Sequence, residues 1–395
     1  MNKIAILFTT NRPDTVGSDI ILSLMIWVSL KFNTTIVTNQ PKLVSKEIPN
    51  CKVIHLKKYN AIKVPFIREV VSWISTARQI NELNVNLCFL LHEMSAIVNW
   101  LKCPSAVYVH QFGSRSMGKP HIIKCVAKSL LNLFCDKFFY QGLVKTDLIF
   151  VASPQIQGFL RDRKINDTCL LTHAYDLTKY RRPLIVAEHN KLKELKERGY
   201  FILAYTGWVT ESRGFPLILE AAYHAIMRGK NIALVIAGSE KTYSRIIHKY
   251  VHDNNIVDNV LDMGTIDSSL VPGILFYADA CISLLDPCVP AYHLSPPQKV
   301  IQYFAAGKPV ICNHVSTHDS LVNDGETGLI TEYDIGSVSD AICRLYDDVQ
   351  LCSQISARAL QESEKYEIGM VFDNVIQKMN DLIETRNDYN MDIRK

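Results

Sequence analysis

One stretch of the sequence combines residue types that could hold an anion. Tyr292–Asn313 reads YHLSPPQKVIQYFAAGKPVICN. Ser295 followed three residues later by Gln298 has the spacing of a capping box, and Pro296 and Pro297 stand where a helix begins. The pattern predicts a helix over Pro297–Ala306, stopped by Gly307, with Pro309 leading into a strand. A capped helix start after a strand presents free N–H groups and the positive end of the helix dipole, and Lys299 adds charge in the first turn. That combination suits a phosphate. The same pattern also describes an ordinary surface helix with a good cap, and the residues alone leave both readings open.

Other chemistries find less support. No Asp-x-Asp triplet occurs, so a metal-chelating nucleotide site of that kind has no ligands, and no cofactor or metal is expected. No G-x-G-x-x-G follows either first strand, which makes a nicotinamide dehydrogenase the weakest rival. The 11 cysteines include no C-x-x-C pair, and several sit in apolar runs, such as Cys88 in NLCFLL and Cys281 in DACISLL. Reduced, buried thiols in a cytoplasmic protein are expected.

The elements that must position these residues follow from hydrophobic patterning. The chain has 395 residues, 48% hydrophobic and 21% charged, enough for two or three packed domains and unlike a disordered, collagenous or coiled-coil chain. Short apolar runs predict strands at Ile4–Thr9, Thr34–Val37, Lys52–His55, Leu87–Leu91, Ala106–His110 and Leu148–Ala152, with helices such as Asp19–Lys31 and Val64–Glu82 between them. A second series predicts strands at Phe201–Thr206, Ala233–Ala237, Val260–Met263, Ala280–Leu284 and Pro309–Cys312. Near-continuous apolar strands alternating with helices require parallel sheets covered on both faces, the α/β doubly wound class. The expected domains are 1–185, a charged linker 186–199, 200–370, and a helical tail 371–395 packing back towards the first domain. Such sheets bind ligands at their carboxyl ends. No signal peptide is expected before the first strand. The longest apolar candidate for a membrane span, Ile20–Leu30, is about half the ~20 residues needed.

At SPPQKVIQYFAAGKPVI the chain resembles the donor-site helix of family-four glycosyltransferases (glycosyl transferases group 1), which have the GT-B fold of two Rossmann-like domains facing each other across a cleft. Val322–Ile330 (VNDGETGLI), Tyr205–Ala221 (YTGWVTESRGFPLILEA) and the LFYADACISLLDP run after Gly264 are similar to that family's motifs, in the same order. Phe150–Pro183 is similar more loosely. The resemblance implies transfer of a sugar from a nucleotide-diphosphate sugar to a glycan, lipid-linked or other acceptor, with retention and without a metal.

It also implies roles for residues. Arg213 matches the basic residue that grips the diphosphate, with Lys299 beside it. Gly207 and Gly214 would let backbone approach the nucleotide, and Gly238, Ser295, Pro297, Gln302 and Trp208 complete the donor side. His110 is implied near the reacting sugar, while His92, Glu93 and Gly17 fall on acceptor-side loops; Glu211 is a further acidic candidate and Glu326 a solvated turn residue. Two positions depart from the family. Gln302 replaces the second of two glutamates spaced by eight, with Leu294 at the first, and Trp208 stands where many relatives carry an arginine. These departures motivate an alternative, a degenerate protein acting as a binding or scaffold subunit, and the fold also admits a nucleotide-sugar epimerase.

Charge is divided unevenly, with 24 basic against 11 acidic side chains over residues 1–185 and 19 against 28 over the rest. Lys119–Lys145 holds five lysines against Asp136, and a basic amphipathic helix there would suit an anionic membrane surface. A core-facing helix with solvated lysines fits the same pattern. The expected localisation is cytoplasmic, peripheral to the inner membrane face on the first of these readings. No nucleic-acid module is recognisable, so no nucleic-acid partner is expected.

Overall fold

The computed structural model describes residues 2–8, 16–39, 51–56, 65–110 and 136–392, with 41, 44 and 48 besides. Most of the predicted basic segment 119–145 lies outside these residues; its end forms a helix over 136–145.

The chain divides into two compact units, Met1–Thr172 together with Gly369–Lys395, and His173–Ile368. The first contains a seven-stranded sheet: β1 (Lys3–Phe8), β2 (Asn33–Thr38), β3 (Lys52–His55), β4 (Leu87–Leu91), β5 (Ser105–Val109), β6 (Leu148–Val151) and β7 (Thr168–Leu170), in the order β3-β2-β1-β4-β5-β6-β7. The second contains β8 (Phe201–Thr206), β9 (Ile232–Ala237), β10 (Val260–Asp262), β11 (Ala280–Ser283), β12 (Val310–Asn313) and β13 (Gly328–Thr331), ordered β10-β9-β8-β11-β12-β13. Every pairing within both sheets is parallel. Both sheets are therefore doubly wound, the α/β class read from the strands. Complete burial of β4, β5, β9, β11 and β12 is the physical reason: helices on both faces leave no polar side.

Three elements, one helix and two strands, differ from the sequence expectation. The charged stretch read as a linker folds as a helix, Asn190–Glu197, which buries Leu192 and Leu195. Lys196 pairs with Asp279 at 2.7 Å, and Asp279 also accepts from the Ile202 N–H at 2.7 Å, which ties this helix to β8. Two apolar positions among many charges suffice to seat one helical turn per leucine. Strands β7 and β13 were not foreseen; β7 has three residues, none of them buried, so it carries no apolar signal. The last helix, Ile368–Asp392, belongs to the first unit from Gly369 onward. There Trp27 Nε1 donates to Asp373 at 2.9 Å, the Trp27 and Phe372 rings meet edge-on at 6.2 Å, and Arg386 pairs with Asp147. Among the described residues no helix is long and apolar enough to cross a membrane.

Candidate functional site

In the second sheet the strand order reverses between β8 and β11, and a ligand of a doubly wound sheet binds beyond the carboxyl ends at such a switch point. The residues after β8 turn back at once. Gly207 has φ +112° and donates its N–H to Ala237 O at 2.8 Å; Gly238, after the neighbouring β9, has φ +119°. A Cβ on Gly238 would lie 2.4 Å from the Gly207 carbonyl oxygen, so the two loops touch backbone to backbone. The Asp262 carboxylate holds the second of these loops, accepting from Ser239 Oγ, from Ser244 Oγ at 2.6 Å and from the Gly264 N–H at 3.0 Å.

The helix Gln298–Ala305 approaches this corner with its amino end. The expected capping box does not form. Pro297 is the N-cap, without a side-chain cap, and Gln298 is the first helical residue. Each proline disfavours helical backbone in the residue before it, so the Pro-Pro pair keeps Ser295 outside the helix. Ser295 Oγ is instead buried without a hydrogen-bond partner among the described residues. The helix is pinned by Tyr303, fully buried, whose hydroxyl accepts from the Thr206 N–H at 3.1 Å and donates to Ile282 O at 3.4 Å.

One turn earlier on the same face lies Lys299. The residue is 6% exposed, its Nζ has no hydrogen-bond partner among the described residues, and it sits 3.9 Å from the centroid of the Tyr205 ring. A Cβ on Gly207 would be 3.8 Å from that nitrogen, so the glycine leaves the ammonium facing bare backbone. Arg213 closes the group. It ends the single-turn helix Glu211–Arg213, is half-buried, forms no ion pair among the described residues, and is near enough for its charge to act on both Tyr205 and Lys299. Burial first, and the Arg213 charge second, push the Lys299 amine well below the usual lysine range.

Behind these cations, His318 is fully buried. Its Nδ1–H donates to Asn313 O at 2.9 Å and its Nε2 accepts from Ser283 Oγ at 3.2 Å. Burial lowers its pKa to about 4, with the Lys299 charge acting in the same direction. The Asn313 side chain bridges both backbone groups of Leu285, at 2.8 and 2.9 Å, fixing the start of the loop after β11. That loop is tied to the turn carrying Arg213 by Asp286 N–H to Ser212 O at 2.9 Å, and Ser212 Oγ meets Tyr292 Oη at 2.9 Å.

Gly207, Gly238, Arg213, Ser295, Pro297 and Lys299 thus share one corner. Gln302, 8% exposed, lies one turn beyond Lys299, and its amide makes no hydrogen bond among the described residues. Trp208 is 43% exposed, and its carbonyl accepts from Tyr205 Oη at 2.5 Å. Gly214 serves packing more than approach: at φ +63° a Cβ would lie 2.6 Å from Leu284 Cβ, so the chain itself fills that space. Glu211 is exposed, and Glu326 pairs with Arg358 at 3.0 Å on the surface. In the first unit, His110 follows β5 directly, half-buried, with its ring 5.8 Å from that of Tyr108. His92 and Glu93 open the 3-10 helix His92–Trp100 after β4, and Gly17 lies in the first turn of helix Val16–Lys31 after β1. All four stand at the carboxyl end of their sheet. Sequence reasoning missed Tyr303, His318, Asn313 and Asp262. A tyrosine four residues after Lys299 is the one advance signal, since that spacing puts both on one helix face.

Such a corner can bind and stabilise negative charge: two basic side chains with no counter-ion among the described residues, glycine backbone, and a helix start. Among the described residues no three His, Cys, Asp or Glu side chains converge on a possible metal position.

The two doubly wound parallel sheets have the GT-B fold. More particularly, that second unit carries the sequence signature of the glycosyl transferases of group 1, matched over residues 200–348, as the sequence resemblance anticipated. The chain is 21% identical over 176 residues to an alpha-D-kanosaminyltransferase of Streptomyces kanamyceticus, covering 44% of each protein. It is 29% identical over 193 residues to a chitobiosyldiphosphodolichol beta-mannosyltransferase of Debaryomyces hansenii, covering 45% of this chain and 40% of that one. It thus spans less than half the length of the curated relatives it matches. In fold it is similar to Anabaena Alr3699/HepE, solved in complex with UDP and glucose, with a TM-score of 0.74 and 12% identity over 96% of this chain and all of that one. It is similar too to sucrose-phosphate synthase from Thermosynechococcus elongatus, with a TM-score of 0.72 and 17% identity over 98% of this chain and all of that one.

Proposed function

We propose that the protein is a glycosyltransferase that takes a nucleotide-diphosphate sugar at the carboxyl end of its second sheet and passes the sugar to a glycan, lipid-linked or other hydroxyl acceptor. The observation that carries this reading is the pair Lys299 and Arg213, both without a counter-ion among the described residues, beside Gly207 at the switch point. Burying a lysine amine with no acceptor or counter-ion among the described residues is costly, and a site that keeps one is built for an anion. In the transfer, the bond between the anomeric carbon and the diphosphate oxygen breaks, a bond to the acceptor oxygen forms, and the acceptor's proton leaves to the diphosphate or solvent. Lys299 and Arg213 hold the negative charge that develops on the leaving diphosphate, which is electrostatic catalysis by groups already in place. With two basic side chains in that role, the reaction is read as independent of a metal, and the family resemblance is what supports retention. Gln302 serves a ribose hydroxyl through its amide. Complexes of HepE with UDP and with UDP-glucose support UDP sugars as the first donors to test.

A thermal-shift panel of UDP, GDP, ADP and their common sugars, with and without Mg²⁺, tests the reading. A ligand at about 100 times its dissociation constant adds roughly 2.7 kcal/mol of stability. The expected result is a shift with one nucleotide family that disappears in Arg213→Ala. No shift with any of them favours the non-catalytic binding or scaffold role.

A further inference from the structure

The state of Lys299 has a consequence for the donor site beyond its position. An ammonium needs acceptors or water around its three N–H bonds, and this one has an aromatic face, a glycine backbone and burial. The titratable groups near it come from three elements. Tyr205 projects from β8, Arg213 from the turn after it, and His318 from the helix after β12. Tyr303 lies on the helix of Lys299 itself, with its hydroxyl committed to Thr206 and Ile282. None is a carboxylate, and the one fixed charge among them, Arg213, is positive. The amino end of the helix dipole points the same way. The face of the Tyr205 ring favours the charged form, but burial and the Arg213 charge outweigh it.

A diphosphate reverses that balance, because it brings negative charge and acceptor oxygens to a nitrogen that has neither. We infer that Lys299 is a neutral amine when no anion is bound and takes up one proton from solvent as a diphosphate binds, so that donor binding and proton uptake are a single event. The inference rests on the donor-site reading above and adds its regulation. The step is a protonation alone: the amine's lone pair takes a proton from water or buffer, and no other bond changes. Product release then returns the proton, and the affinity for diphosphate falls as pH rises.

The test is calorimetric titration of the full chain with UDP, GDP and ADP, in pairs of buffers with different ionisation heats. It is run between about pH 7.5 and 9.5, above the second pKa of a phosphate at about 6. For the nucleotide that binds, the expected result is uptake approaching one proton per diphosphate at the alkaline end. Affinity there should weaken by up to about tenfold per pH unit. Lys299→Met, a volume match that removes the amine, should bind more weakly, exchange no proton and lose the pH dependence. Lys299→Arg, charged throughout, should bind without proton exchange, and melting curves of both variants check that the fold is kept. Binding with no proton exchange across this range overturns the inference and leaves the donor site standing. Equal uptake in Lys299→Met also overturns it, since the proton then lands elsewhere. Failure of all three nucleotides to bind overturns the donor-site reading and this inference with it.

Discussion

The helix Gln298–Ala305 has one lysine in its first turn and another just past its last, and the two are treated oppositely. Lys308 follows the helix, where the dipole is negative, and donates to Phe276 O at 3.2 Å. Lys299 sits in the first turn, where the dipole is positive, buried and without a hydrogen-bond partner among the described residues. One charge is placed with the field and satisfied; the other is placed against it and left unsatisfied. The carboxyl-end lysine completes the fold, whereas the amino-end lysine carries a cost that, on the proposed function, an anionic ligand offsets. Such a cost beside a second basic side chain with no ion pair among the described residues is what supports the proposed site.

The largest expected effect tests whether the two ends really differ in function. Arg213→Ala combined with Lys299→Met should weaken nucleoside diphosphate binding by about 1000-fold, or ~4 kcal/mol, as two charge-assisted contacts are lost. Lys308→Met should change it by less than about threefold, and a comparable loss there, read by calorimetry, would break the comparison.

Next in size is the acid limb of stability. His318 is neutral in the fold with a pKa near 4, against about 6.5 for an unfolded histidine. Between those values the unfolded chain binds more protons, so stability is fully present above about pH 6.5 and falls towards pH 4, by up to ~3 kcal/mol. Denaturant melts across this window should show the slope in the natural chain and a shallower one in His318→Gln.

A smaller effect has opposite signs at the two ends. Without ligand, Lys299→Met should raise the unfolding free energy by about 1 kcal/mol, as an unsatisfied amine gives way to a matched apolar side chain. Lys308→Met should lower it by about 0.5–1 kcal/mol through loss of its hydrogen bond and dipole contact. Equal signs in chemical denaturation would remove the contrast. Smallest of all, Gln302→Glu should tighten donor binding by about threefold if its neighbour is a ribose hydroxyl, seen as a modest gain in thermal shift.

Much of the scaffold was legible because parallel strands buried on both faces spell themselves out: LCFLL, IALVIA and the VIC of β12 are apolar from end to end. The weak points were places where that signal is absent. Strand β7 is short and unburied, β13 begins on the glycine of the Gly-Glu-Thr-Gly turn, and the charged stretch with Leu192 and Leu195 hides a helix behind its polar face. At the site, Lys299 and Arg213 were visible as charges at motif positions. Their lack of counter-ions was not, because it depends on Tyr205, Gly207 and Tyr303 arriving from other elements. The capping box was misread for a local reason: the spacing of Ser295 and Gln298 is correct, but two prolines between them forbid the backbone it needs.

The last helix gives the molecule an order of assembly. Unit His173–Ile368 is continuous in sequence, while the first unit is completed only by Gly369 and beyond. During synthesis the first sheet therefore emerges early but waits, with Trp27 lacking its partners Phe372 and Asp373 and Asp147 lacking Arg386, until the entire second unit has left the ribosome. The earliest-made part of the chain thus receives its last contacts from the latest-made part.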